Sequence, residues 1–345
     1  MLRQLERLTQ PVEIAGGGAC AIAVYADAAD RAFPATDLGF EGVACVDDAA
    51  RAVVLLIDLW EATRLPRALS WARSLIDFLH YMQFDDGRFV NFIVDWRGRR
   101  NENGPTSFPG GGFWQSRGTR ALAKAWLALD DQNALTGLQR GLAFIRESRD
   151  VPADVRSIHA LMAVELLRAG RLPELRPDLV RWCEEIAASR RGDVIVDSPG
   201  AAEPHLWAHV QEGVLADAGV LLGREDLVSV ARRSADAYLA PIIRGRFDLP
   251  TVQPYGVASA IHSIERLGIA SGEHEYIDLA RLARAWFDGR NPANAPVYDR
   301  ATGRVHDGID NGVVNPHSGA ESNIVGAQAL LPELIVRMSP REATA

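Results

Sequence analysis

The chain has 345 residues and carries 37 basic against 45 acidic side chains, a formal net charge of -8, with 48% hydrophobic residues. This length and apolar content predict a globular protein with a large core. The negative charge, without any basic run, argues against nucleic acid or an anionic membrane surface as a partner.

The cysteines and the N-terminal stretch bear on location. Cys20, Cys45 and Cys183 are widely spaced, which suits neither a disulfide framework nor a thiolate metal site. The start of the chain lacks the apolar stretch of a signal peptide, and no segment approaches the ~18 apolar residues that span a bilayer. We therefore expect a cytoplasmic protein with no membrane span.

Apolar residues recur at spacings of three and four along most of the chain, which predicts about twelve helices and few strands. The first predicted helix covers about residues 18–32, the next begins at "VDDAARAV" near residue 46, and the last covers about 319–338. Connections with Gly or Pro near residues 65, 171 and 224 are short, whereas those at 84–114 and 289–318 are long. The helices therefore form antiparallel pairs.

Pairs with alternating short and long connections predict an all-α (α/α)6 toroid, in which six inner helices are wrapped by six outer ones. We expect one domain over residues 1–345, with the helix near 18–32 as outer partner of the last helix. Whether residues 1–17 are ordered or form a flexible N-terminal segment stays open, since "GGG" at 16–18 is typical of a hinge. Long loops of this kind are usually functional, and here they emerge where the inner helices begin.

Carboxylates stand at several of these helix starts. Asp47 and Asp48 open the first inner helix and Glu321 opens the last, so Asp48 and Glu321 lie on adjacent helices across the ring closure. Two carboxyl groups are what a glycosidase needs. The alternative is structural: Asp47 as an N-cap, Ser318 as the cap over Glu321, and Glu203 as a favourable charge at a helix N-terminus.

Aromatic rings beside amides and charged groups suit a sugar site, because pyranose faces stack on rings while hydroxyls take polar contacts. Such side chains stand in the loop "FDDGRFVNFIVDWRG" and at the starts of the second, fourth and fifth inner helices. They are Asp86, Arg88, Asn91, Trp114, Gln115, Arg117, His205, Trp207, His209 and Tyr255.

His205 and His209 stand one helical turn apart, a spacing that suits a metal ion. The stretch "HLWAHVQE" nevertheless lacks the HExxH arrangement, and the sequence shows no third ligand. Packing or substrate binding is the alternative role for both histidines. We expect neither a metal nor a cofactor.

Several stretches together resemble an (α/α)6 six-hairpin glycosidase-like family, often attached to or encoded beside bacterial glycosyltransferases. They are "VDDAARAV", "FDDGRFVNFIVDWRG", "SRGTRALAKAWLAL", "VYDRATGRVHDGI" and "VNPHSGAESNIVGAQALL", and they span about residues 40–335. The resemblance implies a bacterial protein with a glycan ligand and a glycosyltransferase partner. It implies site residues at Asp47, Asp48, Asp86, Arg88, Asn91, Asp307 and Glu321.

One departure from this family lies just before the second inner helix. There the relatives carry an acidic pair, whereas this chain has Trp114 and Gln115 in "GFWQSRG". If the acids of the relatives are catalytic, this chain either uses another carboxylate or has lost the reaction.

Three functions stay open. The first is a glycoside hydrolase with Asp48 or Asp47 as one carboxyl catalyst, Glu321 as the other and Glu203 in reserve. The second is a sugar epimerase or polysaccharide lyase, in which His205, His209 or Tyr255 transfers a proton. The third is a non-catalytic glycan-binding or scaffold module, which the Trp-Gln departure favours.

Overall fold

The computed structural model describes residues 1–14, 17–198, 201 and 203–338, and most of them are helical. Short 3₁₀ turns cover Pro173–Leu175 and Ala285–Asp288, and a π-helical segment at Ala235–Leu239 joins the ninth helix to the tenth. The α-helices are α1 (Leu2–Leu8), α2 (Val46–Thr63), α3 (Pro66–Met82), α4 (Gly112–Leu129), α5 (Gln132–Glu147), α6 (Ala153–Arg168), α7 (Arg176–Ala188), α8 (Gln211–Leu222), α9 (Glu225–Ser234), α10 (Ala240–Arg244), α11 (Pro254–Ser271), α12 (His274–Arg284), α13 (Ala320–Ala329) and α14 (Leu331–Met338).

The helices form a closed ring. The inner helices are α2, α4, α6, α8, α11 and α13; each packs against the next, and α13 packs against α2. Helices α3, α5, α7, α9 and α12 each pack outside the inner helix that precedes them. The predicted (α/α)6 toroid is therefore confirmed. No helix in the described ranges is both long enough and apolar enough to cross a lipid bilayer.

Burial explains which helices are inner. In α6 every residue from 153 to 164 is buried, as expected for a helix with neighbours on all sides. Outer α5 instead buries one stripe, at Ala134, Leu138, Leu142 and Ile145 among others. Neighbouring inner helices can approach each other closely only where their residues are small. A Cβ at Gly213 of α8 would lie 2.9 Å from the Cα of Ser263 in α11.

The prediction of a helix near residues 18–32 is wrong. This segment forms short strands, and its last part is a turn in which the Asp27 carboxylate accepts the backbone N–H groups of Ala29 and Arg31. Asp30 has a positive φ of 63°, so a helix cannot continue through it.

Helix α1 takes the position of the missing outer partner. It packs against α13, and its Leu5 and Leu8 are buried. Residues 2–8 therefore form an outer helix of the ring. Residues 15 and 16, next to and within the expected hinge, lie outside the described ranges.

The strands are two or three residues long and pair antiparallel around the ends of the helices. β9, β12 and β13 form a three-stranded sheet with β12 in the centre; the other pairs are β1 with β2, β3 with β4, β5 with β6, β7 with β8 and β10 with β11. Their bounds are β1 (Thr9–Pro11), β2 (Cys20–Ile22), β3 (Tyr25–Ala26), β4 (Ala32–Phe33), β5 (Ala44–Cys45), β6 (Phe92–Ile93), β7 (Arg190–Arg191), β8 (Val194–Ile195), β9 (Thr251–Val252), β10 (Tyr298–Asp299), β11 (Arg304–Val305), β12 (Ile309–Asp310) and β13 (Val313–Val314).

Candidate functional site

The inner helices enclose a cavity of about 410 Å³. Near the starts of these helices the cavity is lined by Arg51, Arg117, Trp207 and Tyr255, and we call these four residues the mouth. The deeper wall carries charged groups from the later turns of the helices: Asp58, Arg120, Glu165, Arg168, Asp217, Glu265, Arg266 and Arg284.

The deeper charges neutralise each other. Asp217 accepts from both Arg168 and Arg266 at 2.7 Å. Arg120 pairs with Glu165 and Arg284 pairs with Glu265, each at 2.6 Å. This part of the wall is an ion-pair network between neighbouring helices, and the chemistry must be sought at the mouth.

Asp48 and Glu321 lie on adjacent inner helices, as the sequence predicts, but Arg51 joins them. Its Nη2 lies 2.9 Å from Asp48 Oδ1 and its Nη1 contacts Glu321. Asp48 is 3% exposed, and its second oxygen lies 3.3 Å from Cys45 Sγ. Burial raises the pKa of Asp48 to about 6 although the Arg51 guanidinium opposes the shift. The two predicted catalysts therefore share one cation instead of facing each other across an open space.

Asp47 is not the N-cap of α2. Cys45 takes that position, with its Sγ 3.5 Å from the backbone nitrogen of Asp48. The backbone N–H of Asp47 donates to Asn91 Oδ1 at 3.1 Å, and its carboxylate accepts from Arg117 Nη1 at 2.9 Å. Asp47 thus links the N-terminal parts of two inner helices, α2 and α4.

The predicted cap over Glu321 is also wrong. Gly319 is the N-cap of α13 without a side-chain bond, and Ser318 Oγ donates to the carbonyl of Val305 at 2.9 Å. Asp307 Oδ1 accepts from the backbone nitrogen of Gly319 at 2.9 Å, so it supports the start of α13. Burial raises the pKa of the Asp307 carboxyl.

The mouth has an aromatic wall. The Trp207 ring contacts Phe113 edge to face at 4.3 Å and Tyr255 at 6.5 Å between centroids. The guanidinium of Arg117 lies over Phe113 at 4.8 Å and over Trp207 at 5.5 Å. Burial, and then the charge of Glu321, raises the pKa of Tyr255 above its usual value, so its phenol remains a hydrogen-bond donor.

Trp114 is not part of this wall, contrary to prediction. It is 8% exposed, and its Nε1 donates to the carbonyls of Phe89 and Phe108 at 3.1 and 3.0 Å. Gln115 is buried and fastens the same loop, because it accepts from the backbone nitrogen of Phe89 and donates to the carbonyl of Gly87, both at 2.9 Å. The Trp-Gln pair therefore holds the loop in place.

Other predicted residues lie away from the cavity wall. Asn91 is buried and donates to the carbonyl of Thr106 at 3.0 Å. Asp86 and Arg88 form a partly exposed ion pair at 2.7 Å with each other. Glu203 is exposed, and it is not among the residues that line the cavity.

The two histidines differ in surroundings. His209 is fully buried, with Nε2 2.9 Å from Glu212 Oε1. Burial lowers its pKa, but Glu212 and Asp197 outweigh that effect and raise it to about 9. His205 is half exposed; its Nδ1 lies 2.7 Å from the Trp207 carbonyl and its Nε2 3.5 Å from both Asp154 and Asp197.

Sequence reasoning missed Arg51, Phe113 and Asp197 as site residues. Arg51 follows Asp48 by three positions and Asp47 by four, so helical spacing alone places it beside them. Asp197 stands in the loop stretch "VIVDSPG", where no periodicity signals its partners.

No protein-family profile and no curated protein matches this chain. Solved structures do match in fold. A cellobiose 2-epimerase from Bacillus thermoamylovorans B4167 superposes with a TM-score of 0.74 at 11% identity, covering 98% of this chain and 96% of that one. A D-mannose isomerase superposes with a TM-score of 0.71 at 10% identity, covering 97% of this chain and 96% of the isomerase. A family 76 glycoside hydrolase from a bovine Bacteroides thetaiotaomicron strain superposes with a TM-score of 0.64 at 12% identity, covering 96% of this chain and 76% of the hydrolase.

At such low identity these likenesses establish the fold alone, an (α/α)6 toroid that spans nearly the whole chain. They give no support to the glycosyltransferase partner that the sequence resemblance implies. The geometry of the mouth must carry any statement about function.

Proposed function

We propose that this chain is a carbohydrate-active enzyme that binds a saccharide at the mouth of the ring. The observation that carries the proposal is the aromatic wall of Trp207 and Tyr255 beside the guanidinium groups of Arg51 and Arg117, all lining one cavity. The C–H face of a sugar packs on such rings, while its hydroxyls bond to the charged groups. A volume of about 410 Å³ lies within the ~300–1,000 Å³ of small-molecule sites.

The reaction we place first is proton transfer between neighbouring carbons of a reducing sugar, as in an aldose epimerase or isomerase. Glu321 is the proposed base. It does not line the cavity itself, but its side chain is 29% exposed and its carboxylate contacts Arg51, which lines the mouth. Tyr255 is the proposed donor to the sugar carbonyl oxygen, since its pKa is raised. The cellobiose 2-epimerase and the D-mannose isomerase of similar fold support this chemistry.

The step balances without a cofactor. Glu321 takes the proton from C2 of the open-chain aldose, the C–H electron pair forms the C1–C2 double bond, and the carbonyl oxygen becomes an enolate. Tyr255 and the mouth guanidiniums stabilise that oxygen. The epimer forms when the enediolate turns its other face to Glu321 and C2 takes the proton back from that side. The ketose forms when Glu321 returns the proton to C1 while the O2 proton moves to O1.

The two histidines named for proton transfer suit it less well. His209 is enclosed on all sides and bonded to Glu212, so it has no path to a substrate. Both ring nitrogens of His205 already face protein oxygens, from Trp207 and from two carboxylates. We therefore assign the proton transfer to Glu321 and Tyr255 rather than to either histidine.

Glycoside hydrolysis is the second candidate. Its support is the pKa of Asp48, raised to about 6 by burial, which keeps part of this carboxyl protonated near neutral pH, as a general acid requires. The family 76 hydrolase of similar fold also supports it. Against it stands the position of Asp48, buried behind Arg51 and Cys45.

The test is incubation of the full chain in D₂O with D-mannose, cellobiose and a mannan oligosaccharide, followed by proton NMR. Epimerase or isomerase chemistry predicts loss of the C2 proton signal and a new isomeric sugar that carries carbon-bound deuterium. Hydrolysis predicts new reducing ends without exchange at C2. Binding without either change assigns the chain to the glycan-binding modules.

Variants then test the roles. Glu321→Gln is expected to slow exchange by about 100- to 10,000-fold, the usual loss for a general base, and Tyr255→Phe by about 100-fold or more. Glu275→Gln and Tyr276→Phe on outer helix α12 are the matched controls and should keep full activity. Full activity in Glu321→Gln contradicts the proposed role of that residue.

A further inference from the structure

We propose that Asp154, Asp197 and His205 form a binding site for a divalent transition-metal ion, with Zn²⁺ as the best fit. One ligand atom from each of these residues lies within 4.8 Å of the other two. The three residues stand next to the mouth, because His205 and Trp207 have ring centroids 5.5 Å apart. The site is separate from the proposed catalytic groups Glu321 and Tyr255.

The distances match a metal site. His205 Nε2 lies 3.5 Å from Asp154 Oδ2 and 3.5 Å from Asp197 Oδ2. Two ligands bonded to a tetrahedral Zn²⁺ at about 2.1 Å lie about 3.4 Å apart. Imidazole nitrogen with carboxylate oxygen is a donor set that Zn²⁺ accepts, and three protein ligands leave one position for water.

The orientation of His205 also fits. Its Nδ1 lies 2.7 Å from the carbonyl of Trp207, which can only accept, so Nδ1 carries the proton. Nε2 is then the ring nitrogen that faces the two carboxylates, at 3.5 Å from each, and a bound cation there would compensate their charges. Metal-binding histidines commonly donate their other N–H to a backbone carbonyl in this way.

A second, independent observation comes from His209. Its side chain is fully buried, and within the described part of the chain its Nδ1 has no hydrogen-bond partner. This nitrogen is aimed at the cluster, 3.7 Å from Asp197 Oδ1. Buried polar atoms without partners are rare and call for an explanation; here Nδ1 faces the carboxylate of Asp197 and holds it at the edge of the cluster.

The two aspartates are held for this role. Asp197 Oδ2 accepts the backbone N–H of His205 at 2.9 Å, and its Oδ1 accepts from Gln211 Nε2 at 3.1 Å. Asp154 stands in the first turn of α6, where its Oδ1 accepts from the backbone nitrogen of Val155 at 2.7 Å. A bound ion would therefore link Asp197 and His205 to the start of α6, and so fix the position of Trp207.

The experiment is isothermal titration of the chelator-treated full chain with ZnCl₂, with MnCl₂ and MgCl₂ as comparisons. We expect one saturable Zn²⁺ site per chain, weaker Mn²⁺ binding and the weakest response with Mg²⁺. His205→Ala and Asp197→Asn should each weaken Zn²⁺ binding by about 100-fold or more. His274→Ala, an exposed histidine on α12, is the matched control and should bind as the wild type does.

Thermal unfolding distinguishes a lost metal ligand from a misfolded variant. Zn²⁺ should raise the Tm of the wild type and of His274→Ala but leave the Tm of His205→Ala unchanged, and circular dichroism should show equal helix content in all three. Two results overturn the proposal: no saturable Zn²⁺ site in the wild type, which means that a proton on His205 holds the carboxylates, or equal affinity in His205→Ala. No sugar is present, so the outcome is independent of the proposed enzyme activity.

Discussion

The guanidinium of Arg117 lies 2.9 Å from the carboxylate of Asp47 and joins the N-terminal parts of inner helices α4 and α2. Both side chains are largely buried, with 10% and 16% of their surface exposed. Arg117 also lies over the rings of Phe113 and Trp207. One ion pair thus joins two neighbouring inner helices and fixes the position of the aromatic wall.

We predict that Asp47 and Arg117 are energetically coupled. Asp47→Asn and Arg117→Gln should each lower the free energy of unfolding by about 1 to 3 kcal/mol, because each leaves a largely buried charge unpaired. Urea denaturation of both single variants and of the double variant should give a coupling energy of about 1 to 3 kcal/mol. The exposed pair Arg224–Asp226 is the control, with coupling below about 1 kcal/mol. Strict additivity at Asp47 and Arg117 would contradict the prediction.

Asp48 should make stability fall as pH rises. Its pKa is about 6 in the folded protein against 3.8 for an unperturbed aspartate, so between these pH values the folded chain holds the proton more tightly than the unfolded chain does. The stabilisation is fully present below about pH 3.8 and is lost as pH rises through 6. Relative to Asp48→Asn, which cannot titrate, the wild type should lose up to about 3 kcal/mol across this window.

The measurement is urea denaturation of the wild type and of Asp48→Asn at pH values from 4 to 7, with Asp278→Asn as a control for the loss of one negative charge. Parallel stability curves for wild type and Asp48→Asn would show that Asp48 does not hold its proton in the folded state.

Arg51→Met should be among the most destabilising single changes in the ring. It leaves the carboxylate of Asp48 buried without its cation, a loss of about 3 to 5 kcal/mol. The double variant Arg51→Met/Asp48→Asn should regain part of that stability, since the buried charge is removed too. Exposed Arg281→Met on α12 should change the free energy of unfolding by less than about 0.5 kcal/mol. Equal stability of Arg51→Met and Arg281→Met refutes the shared-cation role.

Substitution of Trp207 should change saccharide affinity, whereas substitution of Trp114 should change stability. Trp207→Ala removes a wall of the cavity and should weaken saccharide binding by about tenfold or more, since stacking on an aromatic ring is worth about 1 to 3 kcal/mol. Trp114→Phe removes the bonds to two carbonyls, so it should cost about 1 to 3 kcal/mol of stability with little effect on affinity. Calorimetric titration with a bound sugar and thermal unfolding measure the two effects; a loss of affinity in Trp114→Phe alone contradicts the assignment.

Helix α1 should contribute to the stability of the whole ring. Leu5 is 1% exposed, and Leu5→Ala should lower the free energy of unfolding by about 2 to 5 kcal/mol, the usual cost of a cavity in a core. Leu38→Ala is the control, since Leu38 is 62% exposed. If both variants have the same free energy of unfolding as the wild type, α1 does not contribute to the stability of the ring.

The sequence by itself determined the architecture. Helix periodicity and the Gly and Pro at helix ends are local signals, acting over three or four residues, so the paired helices and the toroid follow from them. The same local logic places Asp47, Asp48 and Glu321 at helix starts. It failed at residues 18–32, where the Asp27 turn and the pairing of β1 with β2 outweigh an apolar pattern.

Only the tertiary structure decided which side chains meet. Arg51 and Glu321 are 270 positions apart, and Asp197 reaches His205 and Asp154 from a loop that no period describes. Whether Trp114 or Trp207 faces the cavity depends on how each loop folds over its helix start. These contacts form when ring closure buries charged groups, because a buried charge is stable only when it is paired. Local sequence periodicity does not predict which residues pair.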